Sequence, residues 1–156
     1  MTQLEVYLLG VAGLFGRSHY EQLQAVKDEI VKAQQLFEVL QMNCNATASL
    51  VAEDQVTDPI LERARQAEKD LAAATVELGK LEVDRDLTAK AFLRGQSYMP
   101  KDNNGRYACP KCWVNESLSV ALRSVLKSFA AEHFVCQTCN YNFTFDSLTP
   151  TTNLDD

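Results

Sequence analysis

Residues 107–145 read YACPKCWVNESLSVALRSVLKSFAAEHFVCQTCNYNFTF, and the two C-x2-C pairs in this stretch, Cys109/Cys112 and Cys136/Cys139, decide how the chain is read. A C-x2-C turn points two thiolates at one spot. Two such turns supply the tetrahedral sulfur set that zinc prefers, with Zn–S distances of about 2.3 Å. Pro110 holds the first turn in shape and leaves the amides around it free to bond sulfur. Four cysteine ligands leave no coordination position open, so the predicted Zn2+ is structural and not catalytic. The competing reading is a redox pair. A thioredoxin-like site, however, uses one such motif at a helix start after a strand, and a second pair then has no role. His133, three residues before Cys136, is the alternative ligand within reach, and beside Phe134 it reads as a packing or surface residue.

On Cys109-Pro110-Lys111-Cys112, Phe134-Val135-Cys136-Gln137-Thr138-Cys139 and the alternating Tyr141-Asn142-Phe143-Thr144-Phe145, this region resembles the zinc-ribbon group of small four-cysteine domains. The resemblance implies a structural metal with each cysteine turn at the tip of a hairpin. It is compatible with nucleic-acid binding, protein binding or scaffolding alone. Ribbon turns commonly place glycine after the second cysteine, whereas Trp113 and Asn140 stand there in this chain. Asn140 tolerates a left-handed backbone, while Trp113 predicts a different first turn or a ring packed over the metal. Between the pairs, Leu118, Ala121, Leu122, Val125, Leu126 and Phe129 follow a helical period, and residues 117–135 hold no Gly, Pro, Asn or Asp. That pattern predicts a helix between the cysteine turns, with strand as the alternative.

Working outward, residues 96–105 form a linker rich in turn residues: Pro100, Asp102, Asn103, Asn104 and Gly105. Before it lie two helical seams. Ser18-His19-Tyr20-Glu21 has the S-x-x-E form of a capping box, which predicts a helix from Ser18 to about Glu53. Its apolar positions Leu23, Val26, Ile30, Ala33, Phe37, Leu40 and Cys44 alternate by three and four, as in a coiled coil. Cys44 on this seam reads as a small buried hydrophobe. Thr57 or Asp58 caps a second helix with Pro59 in its first position, ending near Gly95. Its seam is Ile60, Ala64, Ala67, Leu71, Ala74, Leu78, Leu81, Arg85, Thr88 and Phe92. Arg85 at a seam position predicts either fraying or a carboxylate partner across the seam. Two such helices joined by a short turn fold back as an antiparallel hairpin, which buries each seam on one side and gains from a further helix or a second copy.

Residues 1–17 hold an apolar stretch with Gly10, Gly13 and Gly16 at intervals of three. They read as a docking segment; a shallow membrane-surface anchor and a local strand or loop are the alternatives. The run Val6 to Phe15 is far short of the roughly 20 residues that cross a bilayer, and no secretory signal pattern is present. The predicted fold class is thus mainly α with a small zinc-bound β or α+β module. Its parts are a docking segment at 1–17, an antiparallel helical hairpin at 18–95, a linker at 96–105, a zinc-ribbon-like module at 106–148 and a flexible tail at 149–156.

Charge bears on function. The net charge is −6; residues 17–95 carry ten Lys/Arg against fourteen Asp/Glu, and residues 96–148 five against four. A protein that grips a phosphate backbone normally shows a basic face, so this balance weighs against nucleic acid as the main partner. Five cysteines, four in close pairs, fit a reducing compartment, most simply the cytoplasm. No acid–base pair, activated nucleophile or phosphate-cradling loop stands out, so no enzymatic activity is expected. The expectation is a zinc-binding adaptor or assembly subunit whose helical hairpin meets a protein partner or forms a homo-oligomer. The alternative is a nucleic-acid-binding accessory protein that uses the aromatic and basic residues of the module.

Overall fold

A computed structural model describes residues 1–52, 56–127 and 131–146. The protein is mainly helical, with two long helices packed together and a small three-stranded antiparallel sheet beside the cysteines. The helices are α1, Gln3–Val51, and α2, Asp58–Gln96. Contacts divide the chain into two compact units, one of residues 23–87 and one of residues 1–22 with the chain from residue 88 onward.

In the 23–87 unit every seam position predicted from the three-four spacing is buried or half-buried, from Leu23 to Cys44 on α1 and from Ile60 to Arg85 on α2. Leu23, Val26, Ile30 and Ala67 are the most enclosed. Thr47 continues the seam, and its hydroxyl donates to the carbonyls of Asn43 and Cys44 (both 3.0 Å), so its burial strands no polar atom. Pro59 lies in the first turn of α2, where the Thr57 carbonyl accepts from the Ile60 and Leu61 amides. Arg85 does not pair across the seam. Its side chain stays 40% exposed and its guanidinium bonds Asp86 at 2.9 and 3.0 Å, so Arg85 is not a buried charge on the seam.

The other unit corrects the start of the first helix. It begins at Gln3, and Ser18 is exposed in its interior. The working capping box is Thr2-x-x-Glu5: the Thr2 amide donates to Glu5 Oε2 (2.8 Å), and the Glu5 amide donates to Thr2 Oγ1 (3.2 Å). Burial decides between two equally good local signals, because Leu4, Leu8 and Ala12 form a stripe enclosed in the same core as Cys109, Cys112 and Cys136. That burial outweighs the helix cost of the glycines.

One glycine is required by packing. A Cβ on Gly95 would lie 2.7 Å from Gly16 Cα and 2.9 Å from the Ala12 carbonyl oxygen. Neither is a side chain that can swing aside. Gly95→Val is therefore expected to cost about 1–3 kcal/mol or more by forcing α1 and α2 apart. Gly13→Ala, where nothing lies within 4 Å, is expected to be neutral or to stabilise by about 0.5–1 kcal/mol. Denaturant unfolding of the two variants side by side checks the pair, and equal midpoints would refute the close crossing.

The second correction concerns the segment between the cysteine pairs. The helix there is short and lies within the first cysteine turn: α3, Pro110–Glu116, ending at Ser117 in the left-handed region (φ 59°). Downstream come β1, Arg123–Lys127, β2, Ala131–Val135, and β3, Asn142–Asp146, antiparallel in the order β1-β2-β3. The 3.6-residue spacing of Leu118 to Leu126 does not mark a buried face, since Leu118, Val125 and Leu126 are exposed and Leu122 is buried. Pairing with β2 supplies β1 with the hydrogen bonds that a helix would have made locally, with a register shift between Ser124 and Leu126. Phe129, Glu53 and the predicted tail at 149–156 lie outside the described residues.

Candidate metal centre

Cys109 caps α3, and Pro110 occupies its first position, where a missing N–H is no loss. The helix turn carries Cys112 back beside Cys109, with the Trp113 amide bonded to the Cys109 carbonyl (3.2 Å). The second pair sits in the turn between β2 and β3. There the Cys136 amide donates to the Tyr141 carbonyl (2.8 Å), the Asn140 amide donates to the Cys136 carbonyl (3.0 Å), and Asn140 takes φ 57°. The two turns come from different kinds of structure, a helix start and a hairpin tip. An isolated bridge between Ala108 and Ala121 fixes the strand entering the first.

All four sulfurs lie within 4.8 Å of one another. Cys109 Sγ is 3.6 Å from Cys139 Sγ, and Cys112 Sγ is 3.6 Å from Cys136 Sγ. A tetrahedron with sulfurs about 2.3 Å from its centre has edges of about 3.8 Å, so the set fits a single ion. The distances are far beyond a disulfide's length of about 2.05 Å, and all five cysteines are free. Cys109, Cys112 and Cys136 are buried and Cys139 is half-buried.

Electrostatics point the same way. Burial pushes the Cys109 thiol up to about 12 and raises Cys112 as well. Burial also opposes ionisation of Cys136, but the amides of Cys139 and Thr138, followed by the thiols of Cys139 and Cys109, hold it below the ordinary thiol range. The cluster thus takes one negative charge readily and resists the rest. A divalent cation offsets that resistance, and the amides aimed at sulfur are the outer support a thiolate site uses.

His133 stands apart from the cluster, its Nδ1 3.0 Å from Thr144 Oγ1 across the sheet. Trp113 packs against the core that holds the cysteines, and its Nε1 donates to the Arg94 carbonyl (3.0 Å). Arg94 answers by donating to the carbonyls of Val114 (2.7 Å) and Asn115 (3.0 Å), which clamps the end of α3 to α2. The residues around the centre that the cysteine spacing does not reveal are those of α1. Leu4, Leu8 and Ala12 back the cluster, Tyr7 stands 5.2 Å from Phe143, and Phe15 stands 5.7 Å from Tyr141. The signal for them is the Thr2-x-x-Glu5 box followed by apolar residues at helical spacing. The linker is tied to the same helix by Lys101 and Glu5 (2.7 Å). Among the described residues no helix is long and apolar enough to cross a membrane. Comparison with protein-family models, with curated proteins and with solved structures finds no match to this chain, so its four-cysteine centre is characterised by its own geometry.

Proposed function

We propose that the chain is a non-enzymatic zinc-binding adaptor or assembly subunit, in which a structural Zn2+ on Cys109, Cys112, Cys136 and Cys139 rigidifies a small module and the helical hairpin makes helix-to-helix contacts with protein partners or with other copies. The observation that carries the reading is the closed set of four sulfurs within 4.8 Å. Tetrahedral S4 sites take zinc or iron, and a set of four thiolates with no open position suits a scaffold better than a reaction centre. Four thiols kept reduced in close pairs favour a reducing compartment such as the cytoplasm.

Nucleic-acid binding ranks behind this reading. Stacking on bases needs exposed rings, and Phe134 and Phe143 are buried against each other at 5.2 Å with further aromatics around them.

Elemental analysis with native mass spectrometry on purified protein tests the metal. One zinc per chain, removed by chelator with loss of the module's native signals, is the expected result. A reduced, metal-free chain that keeps the module folded would overturn the reading, and one iron per chain would replace zinc with a redox-capable centre.

A further inference from the structure

On a two-helix hairpin the positions facing away from the seam belong to water and are normally polar. Val76, Val83 and Leu87 on α2 break that pattern, being 59, 61 and 59% exposed. With Gly79, Lys80 and Asp84 they line an open groove of about 550 Å³ in the 23–87 unit. Their spacing is again three and four, set on the side of α2 opposite Ala74, Leu78 and Leu81. α1 also exposes apolar side chains in this unit, with Leu36, Val39 and Met42 at intervals of three, but residues 36–42 hold no glycine and the single charge Glu38, so that face offers no opposite charges to pair with a second copy.

The stripe is self-complementary. Turned end to end about a point between residues 81 and 82, it sets Val76 against Leu87 and the stem of Lys80 against Val83. The same operation brings Lys80 beside Asp84 of the other copy and Asp84 beside its Lys80, giving two symmetric ion pairs. Glu77, which holds Lys80 at 3.5 Å within the chain, lies on the same side of α2, so each Lys80 would stand between its own Glu77 and Asp84 of the other copy. The same operation sets Gly79 against Asp84 of the other copy, where the missing side chain leaves room for the carboxylate. Nothing of its own chain lies within 4 Å of a Cβ built there, so no internal contact accounts for a helix-interior glycine that costs about 1 kcal/mol.

We propose that the outer stripe of α2, Val76-Gly79-Lys80-Val83-Asp84-Leu87, is the contact surface of an antiparallel homodimer. The inference deepens the assembly reading of the hairpin by naming a second copy as its partner. It makes no use of the cysteine centre, so the two fail separately: a chain that holds no zinc but dimerises refutes the metal alone, and a zinc-loaded monomer refutes the dimer alone.

Sedimentation equilibrium of the full zinc-loaded chain over micromolar to submillimolar concentration, with circular dichroism to confirm folding, tests it. A reversible dimer is expected. Val83→Glu should abolish it, and Val39→Glu, at an equally exposed valine of α1, should leave it intact. Lys80→Glu or Asp84→Lys alone should weaken it about tenfold through two repelling pairs, and the double variant Lys80→Glu/Asp84→Lys should restore it. A monomer at all concentrations, a dimer indifferent to Val83→Glu, or charge reversals that the double variant does not rescue would each overturn the proposal.

Discussion

Cys139→Ser is expected to strip the chain of its metal and melt the unit of residues 1–22 and 88–146, while the 23–87 hairpin keeps its helical signal. Structural zinc contributes on the order of 10 kcal/mol or more, and whole domains are stable by only about 5–15 kcal/mol. Cys139 is the half-buried member of the set, so a serine of nearly the same size introduces no clash there. What it removes is one of four soft ligands and the 3.6 Å contact with Cys109. Far-ultraviolet dichroism should therefore fall only in part, while near-ultraviolet signals from Trp113 and the aromatic cluster collapse. Chelation of the parent chain should give the same spectrum. Acidification acts in the same direction. Burial raises Cys109 and Cys112, so each must release a proton to solvent as its sulfur binds the ion, and affinity falls as protons compete at lower pH. A serine variant that retained one zinc and the native near-ultraviolet spectrum would sink the four-sulfur assignment.

The hairpin was legible in the sequence because a coiled-coil seam is a local code: the three-four alternation from Leu23 and from Ile60 specifies which face is buried without reference to anything distant. The cysteine quartet was legible for a similar reason, since each C-x2-C closes its own turn. The misreadings arose where local signals are degenerate. Thr2-x-x-Glu5 and Ser18-x-x-Glu21 are equally good capping boxes, and only the burial of Leu4, Leu8 and Ala12 selects the first. Residues 118–126 carry a helical spacing, yet β1 is fixed by its partner β2, a contact the spacing does not encode. Trp113 is unusual in a ribbon turn, and its partner, the Arg94 carbonyl, lies on a helix that the turn's sequence does not specify.

The dependence of the metal centre on α1 leads to the second large effect. Leu8 is fully buried, and it shares a core with Cys109, Cys112 and Cys136 though about a hundred residues precede them. Leu8→Ala is expected to destabilise this unit by about 2–5 kcal/mol, from lost transfer energy and the cavity left behind. If folding and metal binding are one equilibrium, that loss is felt by the ion: about 3 kcal/mol corresponds to roughly a hundredfold weaker zinc binding, although Leu8 is no ligand. Competition titration against a chromophoric chelator measures it, with Val6→Ala, at an exposed position of the same turn, as the control expected to bind normally. Leu8→Met, which conserves volume, should recover most of the affinity. Unchanged zinc affinity in Leu8→Ala would mean that the cysteine turns hold their geometry without α1. The first turns of the helix would then be a neighbour of the module and not part of the structure that forms the site.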